Sequence, residues 1–193
     1  MANIILVGFM GTGKTAVGEN LSRILGYPLI DTDDLIEEEV GLSIPEIFSR
    51  FGEPFFREVE SRVVERVSKL DARVISTGGG VVLREENLEN LRRNGIIFCL
   101  NATPEEIWRR VSSESHRPLL NVPDPMGRIR ELLVKRAPFY AKADFQIDTT
   151  DRSIEEITEE ILKIFHSEVR DEIGRGQPRR EELYDTYRSR SAG

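Results

Sequence analysis

The chain has 193 residues, 32% of them charged and 39% hydrophobic, with a net charge of −7; this suits one globular domain with its own core and at most an appendage. The acidic excess disfavours a nucleic-acid partner, because phosphate backbones are bound through a basic surplus, although anions can still be held where cations converge on one cleft. Cys99 is the only cysteine, which excludes an internal disulfide and a cysteine-based zinc site and leaves a reducing, cytoplasmic compartment as the simplest expectation.

Taken in chain order, short apolar runs alternate with helical patterns. Ile4-Ile5-Leu6-Val7 reads as a strand buried on both faces. The apolar start is too short for a signal sequence, and no run reaches the length of a membrane span, so no membrane partner is expected. Val17, Leu21, Ile24 and Leu25 recur at helical spacing until Gly26 and Pro28. Leu29-Ile30-Asp31 predicts a short second strand, and Leu35 to Val40 a helix stopped by Gly41. Ser43 with Glu46 is a capping box for a helix that Gly52 stops, and Phe55 to Leu70 carries the apolar stripe Val59, Val63, Val67, Leu70.

Arg73-Val74-Ile75-Ser76 predicts a third strand, followed by three glycines. Glu85 to Asn94 is helical up to Gly95, and Ile96 to Leu100 is the clearest strand. Thr103-Pro104-Glu105-Glu106 opens another helix with a cap, an N1 proline and an N3 glutamate. Residues 112 to 125, polar and with three prolines, predict a mobile loop. Met126 to Lys142 is helical, Phe145 to Asp148 is a fifth strand, and Ser153 with Glu156 caps a last helix carrying Ile157, Ile161 and Phe165. From Ser167 to Gly193 the chain turns polar and rich in Arg and Glu, which predicts an extension that is disordered or loosely helical. The domain is therefore expected over 1–166. Strands alternating with helices imply parallel units with right-handed crossovers, hence a three-layer α/β domain whose ligands sit outside the carboxyl ends of the strands.

Three segments at predicted strand ends carry chemistry. Gly8-Phe9-Met10-Gly11-Thr12-Gly13-Lys14-Thr15 fits G-x-x-x-x-G-K-[ST]. It follows a buried strand and opens a helix, the context in which backbone N–H groups and a helix N-terminus cradle phosphates. Lys14 is placed to reach the β- and γ-phosphates and Thr15 to ligate Mg²⁺. The motif by itself does not separate kinase, ATPase and GTPase. Asp31-Thr32-Asp33 follows the second strand. On a continuing strand the two carboxylates share a face, one for a metal shell and one for a hydroxyl proton. A polar turn with Asp33 or Asp34 capping the next helix explains them equally well. Gly78-Gly79-Gly80 permits close approach of a ligand to backbone N–H groups or is a flexible turn.

These segments, with Phe56-Arg57-Glu58-Val59-Glu60, Arg117-Pro118-Leu119-Leu120 and Arg136-Ala137-Pro138-Phe139-Tyr140, stand in the order and spacing of the shikimate kinases. The resemblance runs from about Ile4 to Phe165. The phosphate motif is generic; the combination is specific. It implies a P-loop domain of the nucleoside-monophosphate-kinase type, with a five-stranded parallel sheet and a lid near 112–125. The implied reaction is transfer of the ATP γ-phosphate to the 3-hydroxyl of shikimate in aromatic amino-acid biosynthesis, by a monomer with Mg²⁺.

The resemblance also implies roles. Gly11, Thr12, Gly13, Lys14, Thr15 and Ala16 would surround the nucleotide, Arg110 would contact adenine, and Arg117 would reach the phosphates from the lid. Asp33 would hydrogen-bond the reacting hydroxyl as candidate base, and Asp31 would support the metal through water beside Thr15. Arg57 and Arg136 would clamp the substrate carboxylate, with Gly78, Gly79 and Gly80 nearby. Paired guanidinium forks suit a planar carboxylate; read without the family pattern, Arg57 and Arg110 are by default surface cations. Glu60, one turn after Arg57, either orients its guanidinium or forms a plain i,i+3 pair.

Other residues are assigned no chemistry. His116 is expected to be solvated, His166 to end the last helix, Cys99 to be buried and inert, and Trp108 to pack. Phe48 and Phe56 fit either core or an apolar wall beside the substrate. Two rival functions remain at this level: a gluconate-kinase-like enzyme of the same fold, and a nucleotide-binding regulator without catalysis.

Overall fold

The computed structural model describes residues 1–112, 120 and 122–174. Five strands form one sheet: β1 (Asn3–Gly8), β2 (Leu29–Asp31), β3 (Val74–Ser76), β4 (Gly95–Asn101) and β5 (Phe145–Asp148). All pairings are parallel, in the order β2-β3-β1-β4-β5. β1 lies at the centre, with Ile4 opposite both Val74 and Ile96, and is buried throughout. The helices are α1 (Lys14–Leu25), α2 (Thr32–Val40), α3 (Ile44–Ser68), α4 (Glu85–Arg92), α5 (Pro104–Val111), α6 (Pro125–Tyr140) and α7 (Ile154–Gly174). The expected three-layer α/β domain is present; of the lid expected near 112–125, residues 113–119 and 121 lie outside the described residues.

Alternation along the strands decides which helix covers which face. Ile5, Val7, Ile75, Ile97 and Cys99 point to one side, packing with Val59, Val63, Leu88, Leu91, Ile129 and Leu132. Ile4, Leu6, Val74, Phe98, Leu100 and Ile147 point to the other, against Val17, Leu21, Ile157, Ile161 and Phe165. Phe56 belongs to the first core and stacks at a tilt on Phe48, 4.7 Å between centroids. Trp108 packs at its edge, and Cys99 is fully buried, its thiol pushed up to about 12 by burial.

Three boundaries differ from the expectation, each for a local reason. α2 begins at Thr32 rather than Leu35, because the Asp31 side chain accepts the Asp33 N–H at 2.9 Å and closes the helix early. The strand therefore does not continue through Asp33. α3 runs through the expected break as a kinked rod: Gly52 adopts φ 80° and ψ 172°, so two helices abut there without a loop. α7 runs past His166, where the last helix was expected to end, and is described through Gly174, with Val169 buried one turn after Phe165 in the same apolar stripe.

Candidate active site

The phosphate motif is the turn between β1 and α1. Gly8, Gly11 and Gly13 hold φ of 139°, 74° and 93°, a region that side chains other than glycine enter only with strain. Gly13 is the N-cap of α1 and supplies no side-chain cap. The N–H groups of Lys14, Thr15 and Ala16 open the helix with its positive end toward the turn. The Thr12 hydroxyl donates to the Phe9 carbonyl at 2.7 Å, and the Lys14 ammonium donates to the Gly8 and Phe9 carbonyls at 2.9 Å each. A bracket holds the turn from outside. Arg110 donates to the Gly11 carbonyl at 3.2 Å, to the Thr149 hydroxyl at 3.0 Å and to the Thr149 carbonyl at 2.7 Å. Its Nε is held by buried Glu106 at 2.7 Å. Arg110 thus lies beside the phosphate turn, with its N–H groups engaged on protein.

The acidic segment sits across the cleft. Asp33 is half-buried, but its Oδ1 is closed from solvent and has no hydrogen-bond partner among the described residues. Burial first, then the neighbouring carboxylates of Asp31 and Glu60, push Asp33 up to about 7, against the pull of Lys14 and Arg57. Asp31 is raised as well, chiefly by burial, with its bond from the Asp33 N–H opposing. The Asp31 carboxylate disfavours ionisation of Asp33, as a like charge does. The cap of α2 is Asp31, not Asp33 or Asp34 as the polar-turn alternative had it.

The arginines gather around a buried acid. Arg57 donates to Glu60 at 2.8 Å and to Glu53 at 3.1 and 3.2 Å, and its guanidinium lies 5.1 Å from the Phe56 ring centroid. Glu60 is fully buried and its Oε1 has no partner among the described residues. Burial raises it, while Arg57, Arg84 and Arg136 pull it back toward the carboxylate. Arg136 is 7% exposed, donates to the Gly79 carbonyl at 3.2 Å and lies 5.8 Å from the Phe9 ring centroid. Glu60 is thus more than a plain surface pair. Glu53 and Arg84 were not singled out from the sequence; spacing i−4 from Arg57 would have pointed to the former, and nothing local points to the latter.

The glycine turn joins these parts. A methyl added to Gly78 would meet Asp33 Oδ1 at 2.6 Å, one on Gly79 would meet the Gly8 carbonyl at 3.3 Å, and one on Gly80 would collide with the Arg57 guanidinium. Three consecutive residues therefore touch the acid, the phosphate turn and the arginine cluster in succession. The Gly78 N–H is held by buried Thr32 at 3.3 Å. Of the expected residues, the structure brings together Lys14, Asp31, Asp33, Arg57, Arg136 and Gly78 to Gly80, with Gly11 to Ala16 on one wall and Arg110 behind it. Arg117 and His116 lie outside the described residues. His166 is half-buried on α7, away from the cleft, with its imidazole lowered by burial and by Arg170.

Chemically, the cleft offers an anion cradle at one end, a planar cationic clamp at the other, and a carboxyl group poised near neutrality between them. Mg²⁺ is also compatible with the donor set. Thr15 is exposed at the start of α1, and Asp31 is a hard oxygen donor that feels the charge of the adjacent Lys14. Among the described residues no cluster of three His, Cys, Asp or Glu forms a cage.

Comparison with known proteins gives a consistent result. The family model described as shikimate kinase matches residues 10–166. A shikimate kinase from Caldanaerobacter subterraneus is 50% identical over 165 residues, 86% of this chain and 96% of that protein. The structure of shikimate kinase from Acinetobacter baumannii in complex with shikimate superposes with a TM-score of 0.83 at 37% identity, covering 87% of this chain and 94% of that one. A gluconokinase from Sinorhizobium meliloti shares the fold alone, with a TM-score of 0.60 at 15% identity, covering 91% and 98%.

Proposed function

Because the chain belongs to the shikimate kinase family and is an ATP-dependent kinase acting on shikimate, we propose that its cleft works by a division of labour between the residues assembled above. The observation that carries the reading is the Gly78–Gly80 turn, one glycine against each of Asp33, the phosphate turn and Arg57.

ATP lies with its triphosphate in the turn Gly11, Thr12, Gly13, Lys14, Thr15 and Ala16, and its base against Arg110. Shikimate lies with its carboxylate between Arg57 and Arg136 and its 3-hydroxyl toward Asp33, beside Gly78 to Gly80. The 3-oxygen attacks the γ-phosphorus, the bond from that phosphorus to the β-bridging oxygen breaks, ADP departs, and the hydroxyl proton passes to Asp33. The products are shikimate 3-phosphate and ADP. Phosphoryl transfer needs positioning and charge neutralisation more than covalent help. Lys14 supplies a mobile cation where charge accumulates, and Arg117 supplies a second from the lid. A carboxyl group near neutrality is well matched to taking a proton at physiological pH. Mg²⁺, held by Thr15 directly and by Asp31 through water, would neutralise phosphate charge.

The single cysteine is buried and inert, and no described helix is long and apolar enough to cross a membrane. A monomer in the cytoplasm, serving aromatic amino-acid biosynthesis, is the corresponding reading. The test is an ADP-release assay offering shikimate and gluconate separately, beside calorimetric binding of shikimate. Turnover of shikimate alone is expected. Turnover of gluconate alone would move the acid assignment, and binding of shikimate and ATP without transfer would make the chain a regulator.

A further inference from the structure

We propose that Glu53 is a placeholder for the substrate: its carboxylate occupies the edge of the Arg57 guanidinium that opens on solvent, and the shikimate carboxylate binds by displacing it. The inference deepens the reading of Arg57 as a holder of the acid and rests on it.

A guanidinium carries its N–H donors in a rigid planar fork, so each edge can be followed to a partner. In Arg57, Nη1 donates to Glu60 at 2.8 Å. Nε and Nη2 both donate to the same oxygen, Oε1 of Glu53, at 3.2 and 3.1 Å. The edge between Nη1 and Nη2 lies against the glycine turn, since a methyl added to Gly80 would collide with those two nitrogens first. The Glu60 side chain is 1% exposed and that of Glu53 is 58% exposed. The Nε–Nη2 edge is therefore the one that an anion arriving from solvent meets, and Glu53 already holds it.

Three features make Glu53 the carboxylate that yields. Its grip is weak: one oxygen serves two donors at long range, whereas a carboxylate that presents both oxygens to that edge makes two parallel, shorter bonds. The charges also do not balance. With Glu53 and Glu60 both ionised, one guanidinium faces two carboxylates, and a third would arrive against a net negative charge unless one of them left. Glu60 cannot leave, because it would become an unpaired charge in the interior. Glu53, an exposed partner one turn before Arg57, swings into water at little cost. It lies directly after the Gly52 joint of α3, at the mouth of the second arm. In the empty cleft it keeps the guanidinium paired; in the filled one the substrate takes over that pairing.

The test is Glu53→Gln in the full chain, which keeps the length of the side chain and removes its charge. The calorimetric Kd and the KM for shikimate should both fall about threefold, the scale of releasing one exposed ion pair, with kcat and ATP KM within about twofold of the parent. A shikimate analogue whose carboxylate is reduced to a hydroxymethyl group should show no such gain. Glu58→Gln, which removes the same charge from an exposed position of the same helix, should leave the Kd for shikimate in place. The Arg57 Nε–H resonance reads the exchange directly: it should differ between the free parent and the free Glu53 variant, and coincide in their shikimate complexes, where the same carboxylate holds that edge. Resonances that stay apart in the complexes would show Glu53 still bonded and overturn the proposal. A higher Kd in the variant would overturn it too, by making Glu53 a support that Arg57 needs. So would an unchanged Kd, the mark of a plain surface pair, or an equal gain in Glu58→Gln, the mark of a general charge effect. Arg57→Ala binding shikimate as well as the parent would instead strike the reading beneath it.

Discussion

The two ends of the cleft are built by opposite means. The phosphate end is one contiguous stretch, Gly8 to Thr15, made of backbone groups and the start of α1, and its Lys14 donates to two carbonyls of the same turn. The acid end is gathered from four separate stretches and depends on buried charge: Asp33 from α2, Arg57 and Glu60 from α3, Gly78 to Gly80 after β3, and Arg136 from α6. The first costs little to hold, because backbone dipoles are already fixed by the turn. The second carries desolvated ions whose partners must all be present at once. Function and stability should therefore be separable at the first end and entangled at the second.

The largest expected effect lies at the phosphate end. Lys14→Ala should lower kcat about a thousandfold, the scale of losing one charge that stabilises the transition state, while the melting temperature moves by no more than about 2 °C. A comparable loss of stability would break the contrast. Asp33→Asn comes next. Without its proton acceptor kcat should fall about a hundredfold or more. The sign for stability is opposite. Asp33 sits at about 7 in the folded chain, well above its ordinary value, so its contribution is greatest below about pH 4 and is lost as pH rises through about 7. The amide variant should therefore melt about 2–4 °C higher than the parent at pH 8 and should match it near pH 4. In the parent, kcat/KM should fall about tenfold per unit below about pH 7.

Arg57→Ala should raise the shikimate KM about a hundredfold and leave ATP KM unchanged. It should also destabilise by about 2 kcal/mol, because Glu60 is left charged and buried. Adding Glu60→Gln should restore stability without restoring binding; recovery of both, or of neither, would refute the view that the two roles meet in this pair. The smallest effect is expected at the tail. Removing 175–193 should change kcat by less than about twofold, whereas cutting at 167 removes Val169 from the core and should lower the melting temperature by several degrees, about what one buried aliphatic side chain contributes.

The same contrast explains what the sequence disclosed. A contiguous motif is legible by itself, and the phosphate turn, the strands and most helices follow from glycine spacing and apolar period. The acid end needed the family pattern, because Arg57 alone is indistinguishable from a surface cation, and what distinguishes it is Glu60 buried one turn away. Asp31 and Asp33 were legible as a pair, but the early helix start was not, since it turns on a single side-chain bond to the Asp33 N–H. Arg84, close enough to act on Glu60, has no local signal at all. The kink at Gly52 was legible as a stop and not as a joint, because a glycine at φ 80° permits two helices to abut as well as to part.

The crowding at the glycine turn also bears on redesign. With Asp33, the phosphate turn and Arg57 each pressed against a different one of those three residues, a side chain at any of the three positions would crowd a different wall of the cleft. Refitting the pocket for a differently shaped acid is a task for α3 and α6, whose walls can be recut one position at a time.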